Sequence, residues 1–374
     1  MRRIAFIHDL PGWPALVWDM AALGHKLAQL RHRQGRLLGR MEALGFDLRD
    51  EANVVVLTRD VVESSAIEGE HLDTAEVRSS IARKLGIDVA GPAPSRRVDG
   101  IVEVMLDATQ RAHEPLTRAR LWGWHAALFP TGFSGMRRIT VGAWRSPEAG
   151  PMQVVSGPIG REKLHFEAPG AERLPVETDQ FLRWFGQALK ASAELDLVLV
   201  AGVAHLWFVT IHPFEDGNGR IARALSDMAL TRSDNVSQRF YSLSSQLMAE
   251  RRDYYLELER AQRGGLDVTP WLDWFLGCLD RAMIRADDMI AGVLHRAKFW
   301  QRANAQAAIN PRQRIVIQRL LNDFEGHLTT SKYATFAKCS NDTALRDIEA
   351  LVAAGILVRN PGGGRSTSYR LVDD

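Results

Sequence analysis

Between Ile211 and Arg223 the chain reads Ile-His-Pro-Phe-Glu-Asp-Gly-Asn-Gly-Arg-Ile-Ala-Arg, a stretch rich in the residue types that handle phosphate esters. Gly217 and Gly219 let backbone N–H groups turn inward around a small concavity, and Asn218 between them tolerates unusual φ. A helix opening at Gly219 would point its positive N-terminal end at that loop. Arg220 and Arg223, three apart on it, can reach one phosphate chain together. Asp216 offers the hard oxygen that Mg²⁺ takes when it bridges phosphates. His212, at the mouth, is the natural general base. A plain turn with a structural histidine would leave Asp216 and the two arginines unexplained. A metal site of His212, Glu215 and Asp216 would lack a second His or Cys at ligand spacing.

The run His212 to Arg223 resembles the signature of the Fic family, HPFx[DE]GNGRxxR, and matches it at every fixed position. The resemblance implies a protein adenylyltransferase that moves AMP from ATP to a Ser, Thr or Tyr hydroxyl of a target protein. It implies that His212 deprotonates the acceptor, that Phe214 anchors the loop in the core and that Asp216 holds Mg²⁺. Gly217, Asn218 and Gly219 would cradle the α- and β-phosphates, with Arg220 and Arg223 on the β- and γ-phosphates. Relatives that phosphorylate carry Lys at the position of Gly219, so glycine there favours nucleotidyl transfer.

Upstream, Ser64-Ser65-Ala66-Ile67-Glu68-Gly69 resembles the family's inhibitory motif, [ST]xxxE[GN]. A carboxylate beside Arg223 would form a charge-assisted pair and occupy the guanidinium that the γ-phosphate needs. ATP would then bind with its α-phosphate out of line for attack. The same six residues also suit a helix C-terminus capped by Gly69. In some relatives this glutamate positions water to remove AMP, which leaves de-AMPylation as an alternative direction at the same site.

The elements that must position these groups are mostly helical. Leu195 to Ile211 is almost continuously apolar and predicts a buried helix that Pro213 ends. Helices are predicted over Leu16–Leu44, Asp50–Glu63, Val98–Glu114 and Leu116–Phe129, with a loop from Gly132 to Gly150. Met152–Ser156 and Lys163–Glu167 read as a β-hairpin. The resemblance makes it a flap whose Val154, Val155 and Ser156 pair with an extended target segment. Arg251 to Gln262 reads as an amphipathic helix. Family members use a Tyr pair and a downstream Asn around the base and ribose; Tyr255 matches, and Gln262 stands where Asn is common. A further helix restarts near Pro270 and runs to about Arg302.

Beyond Asn310-Pro311, three helices and a glycine-tipped hairpin resemble a winged helix. Thr343 and Arg346 on its third helix and Arg365 in the wing would be the DNA contacts. The fold class expected is therefore mainly α: a Fic-type helical core (98–302) with a small hairpin flap, a helical N-terminal extension (1–97) and a C-terminal winged helix (303–374). A DNA-binding regulator with a nucleotide-sensing core is the rival from another class.

The totals are ordinary for a soluble globular protein. The 374 residues are 46% hydrophobic and 25% charged, with a formal net charge of +2, which argues against wholesale coating of nucleic acid. Two cysteines far apart, Cys278 and Cys339, give no disulfide framework. The first residues lack the apolar region of a signal peptide, and no run is long enough to span a bilayer, so a cytoplasmic protein with no membrane partner is expected. The target protein, the chain itself as acceptor, a second copy in a homodimer, and DNA are the partners this reading puts forward.

Overall fold

The structure is a computed structural model that describes residues 6–42, 46–87, 91–157, 161, 163–190, 194–321, 324, 326–361 and 367–372. The chain divides into two compact units, residues 1–288 and 289–374.

The first unit is built on α1 (Met20–Glu42), α2 (Phe46–Ile67), α3 (Thr74–Lys84), α4 (Arg96–Gln110), α5 (Arg118–Leu128), α6 (Leu174–Ala188), α7 (Leu197–Ile211), α8 (Asn218–Asp234), α9 (Leu243–Ala249) and α10 (Arg251–Gln262). The helix α11 (Thr269–Gln306) runs through the boundary between the units. Every residue of α7 from Val198 to Ile211 is buried, as its unbroken apolar run requires. Asp196 starts it, accepting a hydrogen bond from Val198 N at 2.8 Å. Gly202 lets α11 approach α7 closely: a Cβ there would meet Leu272 and Phe275, and Trp271 Nε1 donates to Gly202 O at 2.8 Å. α7 and α8 pack extensively against each other, and the loop between them carries the candidate site.

The first helix spans Met20–Glu42 rather than Leu16–Leu44, α3 and α6 were not expected, and two further differences bear on the site. The second N-terminal helix begins at Phe46 and runs on to Ile67 rather than ending near Glu63. Ser64 therefore lies inside α2, and the chain reverses at Gly69 with φ +79°, the left-handed geometry that glycine permits. The hexapeptide is a helix C-terminus, with its glutamate just past the end. The stretch 132–150 is not wholly a loop, because β1 (Phe133–Ser134) and β2 (Arg137–Arg138) pair antiparallel within it. The hairpin expected over Met152–Ser156 and Lys163–Glu167 forms. Its strands β3 (Gln153–Ser156) and β4 (Lys163–Glu167) are antiparallel, with a register shift between Val154 and Val155.

In the second unit, α12 (Pro311–Leu321), α13 (Thr330–Ala337) and α14 (Asn341–Ala353) precede β5 (Leu357–Arg359) and β6 (Tyr369–Leu371), which pair antiparallel. Leu328 bridges to Tyr369 as a third short strand position. Val316, Ile317, Tyr333, Ile348 and Leu351 form its core. Asp347 ties the helices together, accepting from Arg312, Asn310 and Tyr333.

The crossing of α4 and α5 supplies a stability test. A Cβ on Gly100 would run into the carbonyl oxygen of Ala127 on the facing helix, and a backbone atom cannot swing aside. Gly100→Ala is expected to lower unfolding free energy by about 1–3 kcal/mol in a urea titration; an unchanged midpoint would show that the two helices separate freely.

Candidate active site

The loop between α7 and α8 is fixed from within and from outside. His212 caps α7 in the left-handed region, φ +49° and ψ +59°, with its N–H donating to Phe208 O at 3.0 Å. A non-glycine residue holds that conformation only where its surroundings impose it. Arg145, buried in a distant loop, supplies the constraint: its Nε donates to His212 O at 2.9 Å, its backbone N–H to Pro213 O at 2.9 Å, and its Nη2 to Pro169 O. Phe214 is fully buried, stacked on the His125 ring at 4.2 Å with an interplanar angle of 6° and tilted against Trp144. The anchor expected of Phe214 is thus present.

Asn218 does something the sequence did not indicate. Its Oδ1 accepts from Phe214 N at 3.0 Å and its Nδ2 donates to Phe214 O at 2.8 Å. The side-chain amide closes the loop with one donor and its oxygen. Gly217 enters α8 with φ +81°, and no side chain caps that helix. The first-turn N–H groups are therefore left for a ligand.

The chemistry of His212 follows from its contacts. Nδ1 lies 3.2 Å from Val209 O; a carbonyl only accepts, so Nδ1 carries the proton and Nε2 keeps a lone pair. Burial, partly offset by that hydrogen bond, pushes its pKa down to about 4. The ring is neutral and ready to accept a proton at physiological pH.

The two arginines meet carboxylates. Arg223 is completely buried; its Nε donates to Ser64 Oγ and its Nη2 to Ser64 O, both at 2.8 Å. Glu68 Oε1 stands 2.9 Å from Arg223 Nη1, yet Nη1 has no aligned hydrogen-bond partner among the described residues. Arg220 Nη1 donates to Glu70 Oε2 at 2.6 Å, its guanidinium lies over the Phe129 ring, and its buried Nε has no partner among the described residues. Glu70 also pairs with Arg97. A Cβ on Gly219 would collide with Glu68 Oε1, so glycine at that position is what admits the glutamate.

Glu68 lines two cavities. One, of about 590 Å³, is bordered by His212, Gly219, Tyr255, Gln262 and the flap residues Val154, Val155 and Ser156. The other, of about 530 Å³, is bordered by Asp216, Arg220, Glu70, Arg97 and Ser134. Asp216 accepts from Ser134 Oγ and, at 2.5 Å, from Gly217 N. Glu215 is held by Arg137 Nη2 and Thr140 N, each at 3.0 Å. Among the described residues no three His, Cys, Asp or Glu side chains converge as a metal cage. One carboxylate in an open cavity does fit the habit of Mg²⁺, which takes most of its ligands from water and phosphate.

The base-side residues are only partly free. Tyr255 is 38% exposed and its hydroxyl donates to Ile67 O at 3.3 Å. Gln262 is buried, with Nε2 3.5 Å from Val209 O and from Thr210 Oγ1. The DNA-contact candidates lie in the second unit: Arg346 is exposed and Thr343 half-buried in α14. Arg365 and the Gly362–Gly364 turn lie outside the described residues. Sequence reasoning missed Arg145, Ser134, His125 and Glu70, which reach the loop from far along the chain.

Comparison with known proteins places this geometry. Residues 115–230 match the Fic/DOC family, and residues 6–87 match a domain of unknown function (DUF4172). The chain is 32% identical over 117 residues to the protein adenylyltransferase Fic of Nematostella vectensis, which covers 31% of this chain and 25% of that one. It is 25% identical over 224 residues to the protein of the same name from Culex quinquefasciatus, 60% of this chain and 40% of that one. The chain thus spans less than half the length of these curated relatives. A solved Fic family protein from Desulfovibrio desulfuricans aligns over 93% of this chain and 96% of its own at 21% identity, TM-score 0.50. A Fic domain containing signaling protein from Bacteroides thetaiotaomicron aligns over 71% and 98% at 20% identity, TM-score 0.50. These likenesses show the fold. None of the described helices is long and apolar enough to cross a membrane.

Two buried histidines, His125 and His205, and the half-buried His212 make stability depend on pH. Burial pushes His125 and His212 down to about 4 and His205 to about 3, against about 6.5 in an unfolded chain. The unfolded state therefore binds more protons below 6.5, so stability is complete above that pH and is lost as pH falls toward 4. The urea midpoint should drop steadily between pH 7 and pH 5, by up to ~1.4 kcal/mol per pH unit for each histidine. A midpoint that stays level across that range would contradict the burial of these rings.

Proposed function

We propose, from the Fic/DOC domain that this chain carries, that it is a protein adenylyltransferase held in check by its own N-terminal region. The observation that carries the reading is the Glu68–Arg223 contact beside a neutral His212. ATP is the nucleotide substrate. Its phosphates would lie on the free N–H groups of α8, with Arg220 and Arg223 on the β- and γ-phosphates and the adenosine in the cavity of Tyr255 and Gln262. Asp216 would hold Mg²⁺, whose charge on the phosphate oxygens offsets the negative charge that develops during transfer. A Ser, Thr or Tyr hydroxyl, brought in on a strand added to β3, loses its proton to His212 Nε2 as its oxygen attacks the α-phosphorus. Pyrophosphate leaves in line.

Inhibition takes two carboxylates rather than one. Glu68 and Glu70, on either side of Gly69, occupy Arg223 and Arg220 together. With both guanidinium groups engaged, ATP binds without its γ-phosphate on Arg223, and alignment of the α-phosphate is lost. The segment 6–87 then acts as a built-in inhibitor delivered by the end of α2.

The test is transfer from α-labelled ATP, read by intact mass and by labelling of a lysate. Glu68→Gly should raise transfer at least about tenfold, and Glu70→Gln on that background should raise it a few-fold more; equal rates in wild type and Glu68→Gly would refute the inhibitory role. His212→Ala on the Glu68→Gly background should lower transfer about 10²–10⁴-fold, the range expected of a general base, with ATP binding retained.

A second reading rests on the second unit, where three helices and a hairpin leave Arg346 exposed on α14. It binds duplex DNA by that helix. The full chain should then bind duplex with an affinity that falls with salt and falls again in Arg346→Ala; no binding at low salt would remove this role.

A further inference from the structure

The flap holds a second proton-transfer arrangement that the adenylyltransferase reading does not use. Ser156 Oγ lies 2.6 Å from His165 Nε2, and His165 Nδ1 lies 2.7 Å from Glu259 Oε2. All three residues border the cavity that contains His212. The proton positions follow from what each group can do. Glu259 also faces Arg263 Nε at 3.2 Å and Lys163 Nζ at 3.7 Å, so it is an ionised carboxylate and only accepts. His165 Nδ1 must therefore donate to it, and in the neutral ring Nε2 is left as an acceptor. Ser156 then has one arrangement open: its hydroxyl donates to Nε2. A serine hydroxyl on a histidine whose other nitrogen is held by a carboxylate is the arrangement of an activated nucleophile.

An alternative role is a mechanical one, pinning the flap to α10. The Lys163 and Arg263 contacts with Glu259, and the hydrogen bonds from Arg263 to Leu164 O and His165 O, already do that without Ser156. The serine is exposed on the strand that faces the cavity, where it adds nothing to the anchor and is open to a reagent.

We propose that Ser156 is an acceptor within the same chain, taking AMP from ATP bound in this cavity; the proposal rests on the adenylyltransferase reading for the identity of the donor. Ser156 Oγ bonds to the α-phosphorus, the bond from that phosphorus to the bridging oxygen breaks, pyrophosphate leaves, and the hydroxyl proton passes to His165 Nε2. The adduct would place a nucleotide on the strand where a target segment pairs. Self-modification would thus limit access of targets to the flap.

The experiment has two arms on the full chain. In the first, wild type is treated with a fluorophosphonate, which reports activated serines without any nucleotide, and the labelled peptide is sequenced. Label is expected on Ser156, reduced at least tenfold in His165→Ala and in Glu259→Gln, whose amide can donate to Nδ1 and so reverse the ring's tautomer. Circular dichroism confirms that each variant is folded, and two variants guard against the failure of one. In the second arm, Glu68→Gly is incubated with ATP and mapped for AMP, which is expected on Ser156 and lost in Ser156→Ala. Absence of fluorophosphonate from Ser156, or label indifferent to His165 and Glu259, would overturn the activated nucleophile. AMP on other proteins with Ser156 unmodified would overturn the acceptor role. Should no AMP appear on any protein while Ser156 still takes the fluorophosphonate through His165, the adenylyltransferase reading fails, and the acceptor role falls with its donor while the nucleophile stands.

Discussion

A guanidinium that is wholly out of water must have an anion, and Arg223 is wholly out of water. Leaving such a charge unpaired would cost several kcal/mol, so the fold has to provide a partner at every stage of the protein's life. Ser64 satisfies two of its three nitrogens. The third, Nη1, faces Glu68. In the proposed mechanism that single donor position is contested between a carboxylate of the chain and the γ-phosphate, and each would have to displace the other. The same desolvation that makes the arginine expensive makes its occupancy informative.

The surrounding architecture keeps that contest local. α7 and α8 form a buried pair whose connecting loop is closed by the Asn218 side chain on Phe214 and clamped by Arg145 on His212 and Pro213. With the loop rigid, His212 stays in a left-handed conformation with its proton on Nδ1. In the proposed inhibition, the change of state would fall on the turn after α2, where Glu68 and Glu70 flank Gly69. The region that matches a domain of unknown function carries both carboxylates that meet the two arginines, which is the physical basis of the proposed inhibition.

What the sequence made legible was what local spacing determines. The buried helix before His212, the glycines of the loop, the helix after it and the flap hairpin all follow from patterns within about twenty residues. Glu68 was legible only through resemblance, because nothing local links residue 68 to residue 223. Arg145, Ser134 and Glu70 were not legible at all: an arginine in a loop or a serine in a two-residue strand has no local pattern that marks it, and its role appears only when the chain closes. Asn218 reads as a phosphate ligand by its place between two glycines, while its side chain is spent on the loop backbone. The end of α2 lies beyond the point its sequence suggests because Ser64 and Ser65 weaken helix propensity, and tertiary contacts with Arg223 extend the helix past them.

The most direct test of the contest for Arg223 is the preference for ATP over ADP in binding, measured by calorimetry on wild type and Glu68→Gln. The two nucleotides differ by the γ-phosphate that should take Nη1. Wild type should bind them nearly equally, because Glu68 holds that position, whereas Glu68→Gln should favour ATP by about tenfold, or ~1.4 kcal/mol. The same ratio in both proteins would mean that Glu68 and the γ-phosphate do not compete, and the account of inhibition would be wrong.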